Sequence, residues 1–210
     1  MTNDPKQAGY QVTSKVNSLS AGFHGDPLLV EVERAQTIAL TKEFTWPTSI
    51  ETVEKTKVIV RYSTIPDSPN SPFHATVNMS LTLENHAHGL AYLDFCPKTE
   101  QEILLKSLEY LNIIKGSTLS EKELLLKHCL QKVCVKGFAK RNPETEPKSS
   151  NTIAVPIHGE DRVLVTLGLT YFRSAYDSVE TAKKFVTTLH EASRNISKNA
   201  QELVKIADSD

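Results

Sequence analysis

The sequence predicts an α+β domain, an antiparallel sheet covered by helices and ending in one long C-terminal helix. Three observations predict it. Two pairs of strand-forming runs each meet at a short turn, Thr48 to Val53 with Lys57 to Thr64, and Thr152 to Ile157 with Arg162 to Thr170. Apolar residues recur at helical spacing before, between and after these pairs. With 39% hydrophobic residues in 210, the chain holds enough apolar material for one continuous core. The order is therefore helices, hairpin, helices, hairpin, helix, which suits a sheet with helices packed on it.

Taken in order, Tyr10 to Val12 reads as a short extended piece, and Thr13 or Ser14 caps a small helix carrying Val16, Leu19 and Phe23. Asp26 and Pro27 then open a clear helix. The aspartate caps free amides of the first turn, and proline fits the first helical position, where an amide would be unpaired anyway. Leu28, Val32, Ala35 and Ala39 follow at helical spacing until Pro47. The first hairpin turns at Glu54-Lys55-Thr56, and an irregular loop with Pro66, Pro69 and Pro72 follows it. Glu84 to Phe95 reads as helical. Thr99 with Glu102, and Ser120 with Glu123, form capping boxes for two more helices. The second of these carries Leu126, Cys129, Leu130 and Val133 and ends at Gly137. A polar loop from Arg141 to Ser150 leads to the second hairpin, which turns at His158-Gly159. Asp177 and Glu180 start the last helix, whose apolar face is Ala182, Val186, Leu189, Ala192 and Ile196.

The formal net charge of −1 argues against a nucleic-acid-binding surface on this chain, since such surfaces carry a basic excess or stripe. Three cysteines at unpatterned spacing, Cys96, Cys129 and Cys134, argue against a disulfide framework and for a reducing compartment. No stretch approaches the ~18 consecutive apolar residues of a membrane span, and Met1 to Gln7 is too polar for a signal peptide. The expectation is a soluble cytoplasmic protein.

No phosphate-binding glycine loop, dinucleotide fingerprint or nucleophile elbow occurs, so no enzyme and no cofactor is expected. His86-Ala87-His88 is the best metal-like signal. Positions two apart diverge on a helix, however, and no nearby residue completes a ligand set. Cys96 before Pro97 reads as a packing residue, with a nucleophile beside one of the histidines as the alternative. Lys140-Arg141 is either an anion site or a solvated pair. Trp46 either enters the core or lines a pocket. Arg61 shares a strand face with Ile59 and Ser63. If that face is internal, Arg61 needs an anionic partner such as a ligand carboxylate; if external, it is simply solvated.

The stretch Ser80 to Pro97, SLTLENHAHGLAYLDFCP, resembles the helix-opening segment of the IclR family of bacterial transcription regulators, with Gly89, Ala91 and Leu93 on the family pattern. The segment around Gly137-Phe138 resembles that family's Arg-Gly-Tyr motif. Thr152 to Phe172 resembles its closing strand, turn and strand, and Gly9 to Phe23 the end of its winged helix and start of its linker helix. The wording around AYLDFCP and LTYFR is closest to activators of aromatic-acid breakdown such as hydroxyphenylpropionate regulators.

The resemblance implies a GAF-like sheet with a small-molecule pocket above one face. Residues 1–25 would be the remnant of the winged-helix end and linker, and 26–207 the effector-binding domain. Contacts implied for an aromatic carboxylate are the amides of Ala87 and His88, with His86 beside them, then Arg141, Thr152, Gly168 and Thr170, with Arg61 added from the strand reading. A homodimer or dimer of dimers is implied, controlling a catabolic operon through a DNA-reading winged helix expected to be missing from this chain. Two departures stand out: Thr82 and Glu84 occupy the region of the family's usual histidine, and Lys140 and Arg141 replace acids after the glycine motif, which favours an anionic ligand. The competing readings are a GAF-type thiol redox enzyme using Cys96 with His86 or His88, and a purely structural dimerisation module.

Overall fold

The computed structural model describes residues 2–3, 10–11, 27–71, 77–114, 137–175 and 179–207. Strands β1 (Thr2–Asn3) and β2 (Tyr10–Gln11) pair with each other in a two-stranded sheet. The main chain course is α1 (Pro27–Phe44), β3 (Thr48–Glu54), β4 (Lys57–Ser63), a 3-10 turn (Ile65–Asp67), β5 (Ser80–Thr82), α2 (Ala87–Phe95) and α3 (Lys98–Ile114). It continues through β6 (Ala139–Lys140), β7 (Ser150–His158), β8 (Val163–Phe172), a second 3-10 turn (Arg173–Ala175) and α4 (Val179–Ala207).

The main sheet is antiparallel throughout, in the order β5-β4-β3-β8-β7-β6. Both expected hairpins form, and β3 pairs with β8 to join them edge to edge, Thr48 opposite Leu169 and Ile50 opposite Leu167. Lys55 makes the first turn with φ of 56°. The two short strands β5 and β6, which extend the sheet at either end, were not expected. Each has only two or three residues, too few to show alternation. Helix α3 begins at Lys98, so Thr99 lies inside the first turn and is not its cap. Asp26, Asp177, the helix expected over Val16 to Phe23 and the one opened by Ser120 lie outside the described residues.

The two faces of the sheet differ in kind. One is packed by α1 and α4: Ile50, Ile153, Val155, Val165, Leu167, Leu169 and Tyr171 meet Leu40, Phe44, Phe185, Leu189 and Ile196 in one cluster. Each large side chain buried there contributes roughly 2 kcal/mol. Trp46 belongs to this core, edge-on to Phe172. The stripe on α4 runs Phe185, Leu189, Ala192, Ile196, Ala200, with Val186 at its margin. The other face is covered by α2, on which α3 packs, and Leu83, Leu90, Leu93, Leu104 and Leu108 share one cluster with Val58, Ala139 and Ala154. On this second face β8 presents Thr166, Gly168 and Thr170, alternating with the large apolar residues of the first. Small and polar residues there let α2 approach closely and leave space beside it.

Candidate functional site

That space is a cavity of about 340 Å³ on the second face of the sheet. Its polar side holds His86, Ala87 and His88 at the start of α2, Arg141 just after β6, and Thr152 and Thr170 from β7 and β8. Ser49 and Glu51 of β3 form part of its floor. Its apolar side is Val60, Ile65, Met79 and Leu81, and Glu146 and Pro147 border it. Of the eight residues singled out in the sequence, six line the cavity.

The seventh, Gly168, acts indirectly. A Cβ at this position would overlap His88 Nε2, so the glycine leaves the room that the imidazole occupies. Gly89 is required for a related reason: its Cβ would collide with the Leu83 backbone carbonyl, and without it the first turn of α2 sits directly on the preceding chain.

The eighth, Arg61, does not line the cavity. The β3–β4 register shifts between Ile50 and Glu51, which face Tyr62 and Val60, leaving Arg61 as the extra residue of a bulge. The bulge breaks the alternation that put Arg61 with Ser63, and Ser63 lines the cavity while Arg61 does not. The arginine does have an anionic partner, but it is the Glu54 carboxylate, with Thr52 Oγ1 accepting from Nε at 2.8 Å.

Glu51 and His88 form the centre of the floor, 4% and 2% exposed. Glu51 was not foreseen: a lone acid in a strand looks the same from sequence whether it faces water or a pocket. His88 Nδ1 lies 2.8 Å from Thr166 Oγ1, which donates at 3.2 Å to the Glu51 carbonyl, so Nδ1 carries the hydrogen. Nε2 is then an acceptor, 3.3 Å from Glu51 Oε1 and 3.1 Å from Ser49 Oγ. Ser49 Oγ in turn donates to Glu51 Oε1 at 3.1 Å.

The chain closes if Glu51 is protonated and donates to His88. Burial pushes its carboxyl up to about 8 against the pull of the Ser49 hydrogen bond. Burial also pulls His88 down to about 3, helped by neighbouring His86, with the Thr166 bond opposing. The contact therefore joins two neutral groups and is not an ion pair. Glu51 Oε2 is buried and has no hydrogen-bond partner among the described residues.

Around this pair, burial and then the Arg141 charge lower His86 to about 4, so it too is neutral at pH 7. Arg141 is 4% exposed and is the cation among the described lining residues. Its amide donates to Thr152 O, and one guanidinium nitrogen donates to Pro147 O and to Ser150 O, each at 2.6 Å. Those bonds hold it against the loop that precedes β7. Its partner in the sequence pair, Lys140, is exposed and does not line the cavity. Thr152 and Thr170 hydroxyls meet at 2.9 Å across β7 and β8. His86 is the N-cap of α2, with an extended backbone and no side-chain cap bond, and Ala87 and His88 of the first turn line the cavity.

Cys96 stands at the opposite end of α2, about 12 Å of helix from His88. Burial, with Glu100 adding, pushes its thiol up to about 11, and its Sγ points at Leu93 O. It is neither near the histidines nor a thiolate at pH 7. No three His, Cys, Asp or Glu side chains gather as a metal site among the described residues. No helix among them is long and apolar enough to cross a membrane.

Residues 49–198 match the family model described as "Bacterial transcriptional regulator IclR C-terminal". The fold is shared with solved structures at low identity. The IclR protein of Thermotoga maritima is 17% identical, with a TM-score of 0.74 over 89% of this chain and 74% of that one. The C-terminal domain of the E. coli regulator KdgR is 21% identical, with a TM-score of 0.66 over 82% of this chain and 98% of that domain. An IclR homologue from Microbacterium hydrocarbonoxydans, solved with 4-hydroxybenzoate, is 17% identical, with a TM-score of 0.67 over 87% and 72%.

Proposed function

Because the chain belongs to the IclR family of bacterial transcriptional regulators, matched over that family's C-terminal domain, we propose that this domain is the effector sensor of such a regulator, and that the cavity on the α2 face of the sheet is where the effector binds. The observation that carries the reading is the make-up of the cavity. Helix-start amides, Arg141 and two hydroxyls stand on one side, and Val60, Ile65, Met79 and Leu81 on the other. A small carboxylic acid with an apolar body, aromatic for preference, fits that division. The complex of the Microbacterium homologue with 4-hydroxybenzoate supports the ligand class by analogy.

In this reading the protein is not an enzyme. It acts in the cytoplasm as a homodimer or dimer of dimers, and residues 1–25 are the end of a winged helix and its linker. DNA is read by that winged helix, and the effector shifts the arrangement of subunits and with it transcription of a catabolic operon. A ligand shifts such an equilibrium only through unequal affinity for the two arrangements. The test is a thermal-shift and calorimetric screen of aromatic and aliphatic carboxylic acids. Binding to the folded state must raise the melting temperature. Failure of every acid in a broad panel would sink the sensor reading.

A further inference from the structure

We propose that the Thr41 hydroxyl is a two-position switch through which an occupant of the cavity acts on α1: it donates either to Thr48, where β3 begins, or to Thr64, just past the end of β4. The inference rests on the sensor reading above and goes beyond it by naming the element that the effector moves.

Three threonines meet in the core between α1 and the sheet. Thr41, Thr48 and Thr64 are all buried, and Thr41 Oγ1 lies 2.6 Å from Thr64 Oγ1 and 2.9 Å from Thr48 Oγ1. Valines of the same shape would fill this space with no polar group to satisfy, so packing alone does not call for hydroxyls.

The donors can be assigned. A carbonyl only accepts, so the Thr48 hydroxyl donates to Thr37 O at 2.8 Å and accepts from its neighbours. Thr64 Oγ1 accepts from the Thr48 amide at 2.9 Å. One hydrogen each remains on Thr41 and Thr64, and two arrangements use both. In the first, Thr64 donates to Thr41 and Thr41 to Thr48. In the second, Thr41 donates to Thr64 and Thr64 to Thr48 O, 3.2 Å away. The bond from Thr48 to Thr37 is the same in both and fixes where α1 sits. The last turn of α1, held by the Thr45 amide donating to Thr41 O at 2.8 Å, is tied to Thr48 in one arrangement and to Thr64 in the other.

Both partners of Thr41 are flanked by residues of the cavity. Thr48 lines it with Pro47 and Ser49, and Thr64 stands between Ser63 and Ile65, which line it too. Hydrogen bonds weaken steeply with distance and angle, so an occupant that alters the spacing of these two segments selects one arrangement. Helix α1 follows closely on residues 1–25, the linker of the reading above, and carries the selection toward it.

The experiment is amide hydrogen exchange of the whole chain, free and saturated with the tightest-binding acid of the panel, benzoate, phenylacetate and 4-hydroxybenzoate being the first probes. Binding is expected to change exchange of the Thr45 amide by about fivefold or more beyond the change at Leu189 and Ile196 of α4, which report general stabilisation. Thr41→Ser keeps the hydroxyl and the response. Thr41→Val removes the switch and brings the Thr45 response down to that of α4. Thr64→Val, which leaves Thr41 only Thr48 as acceptor, does the same; neither residue lines the cavity. An acid that binds while Thr45 merely follows α4 overturns the inference and leaves the sensor reading standing. So does a response that survives in Thr41→Val. The comparison of Thr45 with α4 needs only the wild type, so it decides the matter even if neither valine variant folds. If no acid of the panel binds, the sensor reading falls and this inference with it.

Discussion

Replacing Glu51 by glutamine is expected to stabilise the domain, by an amount that grows with pH. Burial raises this carboxyl from 4.5 to about 8, so between those limits the folded chain holds a proton that the unfolded chain has released. Stability then falls as pH rises through the window, at about 1.4 kcal/mol per unit, and levels off above about pH 8. Glutamine keeps the shape and the bond to His88 and does not titrate. Moving from pH 5.5 to pH 7.5 spans two units of the window, which widens the gap between variant and wild type by about 3 kcal/mol. For a chain of this length that corresponds to roughly 5–10 °C in melting temperature. His88, lowered from 6.5 to about 3, works in the other direction below pH 6.5, but it does so in both proteins and cancels in the difference. Calorimetric melts of both proteins at four or five pH values between 5 and 9 provide the measurement. A gap of the same size at pH 5.5 and 7.5 would refute the reasoning, because it would mean that Glu51 is already ionised in the folded state.

Affinity for a carboxylic acid should fall above about pH 8, as Glu51 ionises and adds a negative charge to the cavity floor; a binding constant flat from pH 7 to 9 argues against Glu51 as a neighbour of the ligand. Gly168→Ala forces the His88 ring aside and breaks its bonds to Glu51 and Thr166, so a loss of about 2 kcal/mol in stability should accompany loss of acid binding. Native stability with native affinity would show that the ring has somewhere else to go. Thr170→Val keeps the strand residue's shape but removes the hydroxyl facing Thr152, and about a fivefold weaker affinity with an unchanged melt is expected. Unchanged affinity by calorimetry would take Thr170 out of the site.

Most of the fold was legible because its main elements announce themselves locally. Pro27 with the helical recurrence after it, the two β-branched runs and the amphipathic stripe through Leu189 and Ile196 each carry their own periodic signal. What was not legible depends on pairing. β5 and β6 are strands only because a neighbour accepts them at the sheet edge. The bulge at Arg61 exists only as a mismatch with β3 and cannot be read from β4 alone. The same limit hid Glu51. The sequence shows Ser49 and Glu51 alternating with Ile50, but not which face α2 covers, nor that Gly168 two strand-residues from Thr166 makes room for His88 between them. The polar side of the cavity was found through family likeness in order and spacing. The acid at its floor has no counterpart in that pattern.

The division of labour between the two sheet faces explains why so polar a floor is tolerable. β8 places Val165, Leu167, Leu169 and Tyr171 toward α1 and α4, where burial of large side chains carries the stability. Its alternate residues, Thr166, Gly168 and Thr170, are thereby free to serve α2 and the cavity. Burying a carboxyl and an imidazole would ordinarily cost several kcal/mol. Here the cost is limited by leaving both neutral and by a closed circuit: Ser49 donates to Glu51, Glu51 to His88, His88 to Thr166, and Thr166 back to the Glu51 carbonyl. Every polar atom of the circuit is satisfied from within except Glu51 Oε2, which has no partner among the described residues.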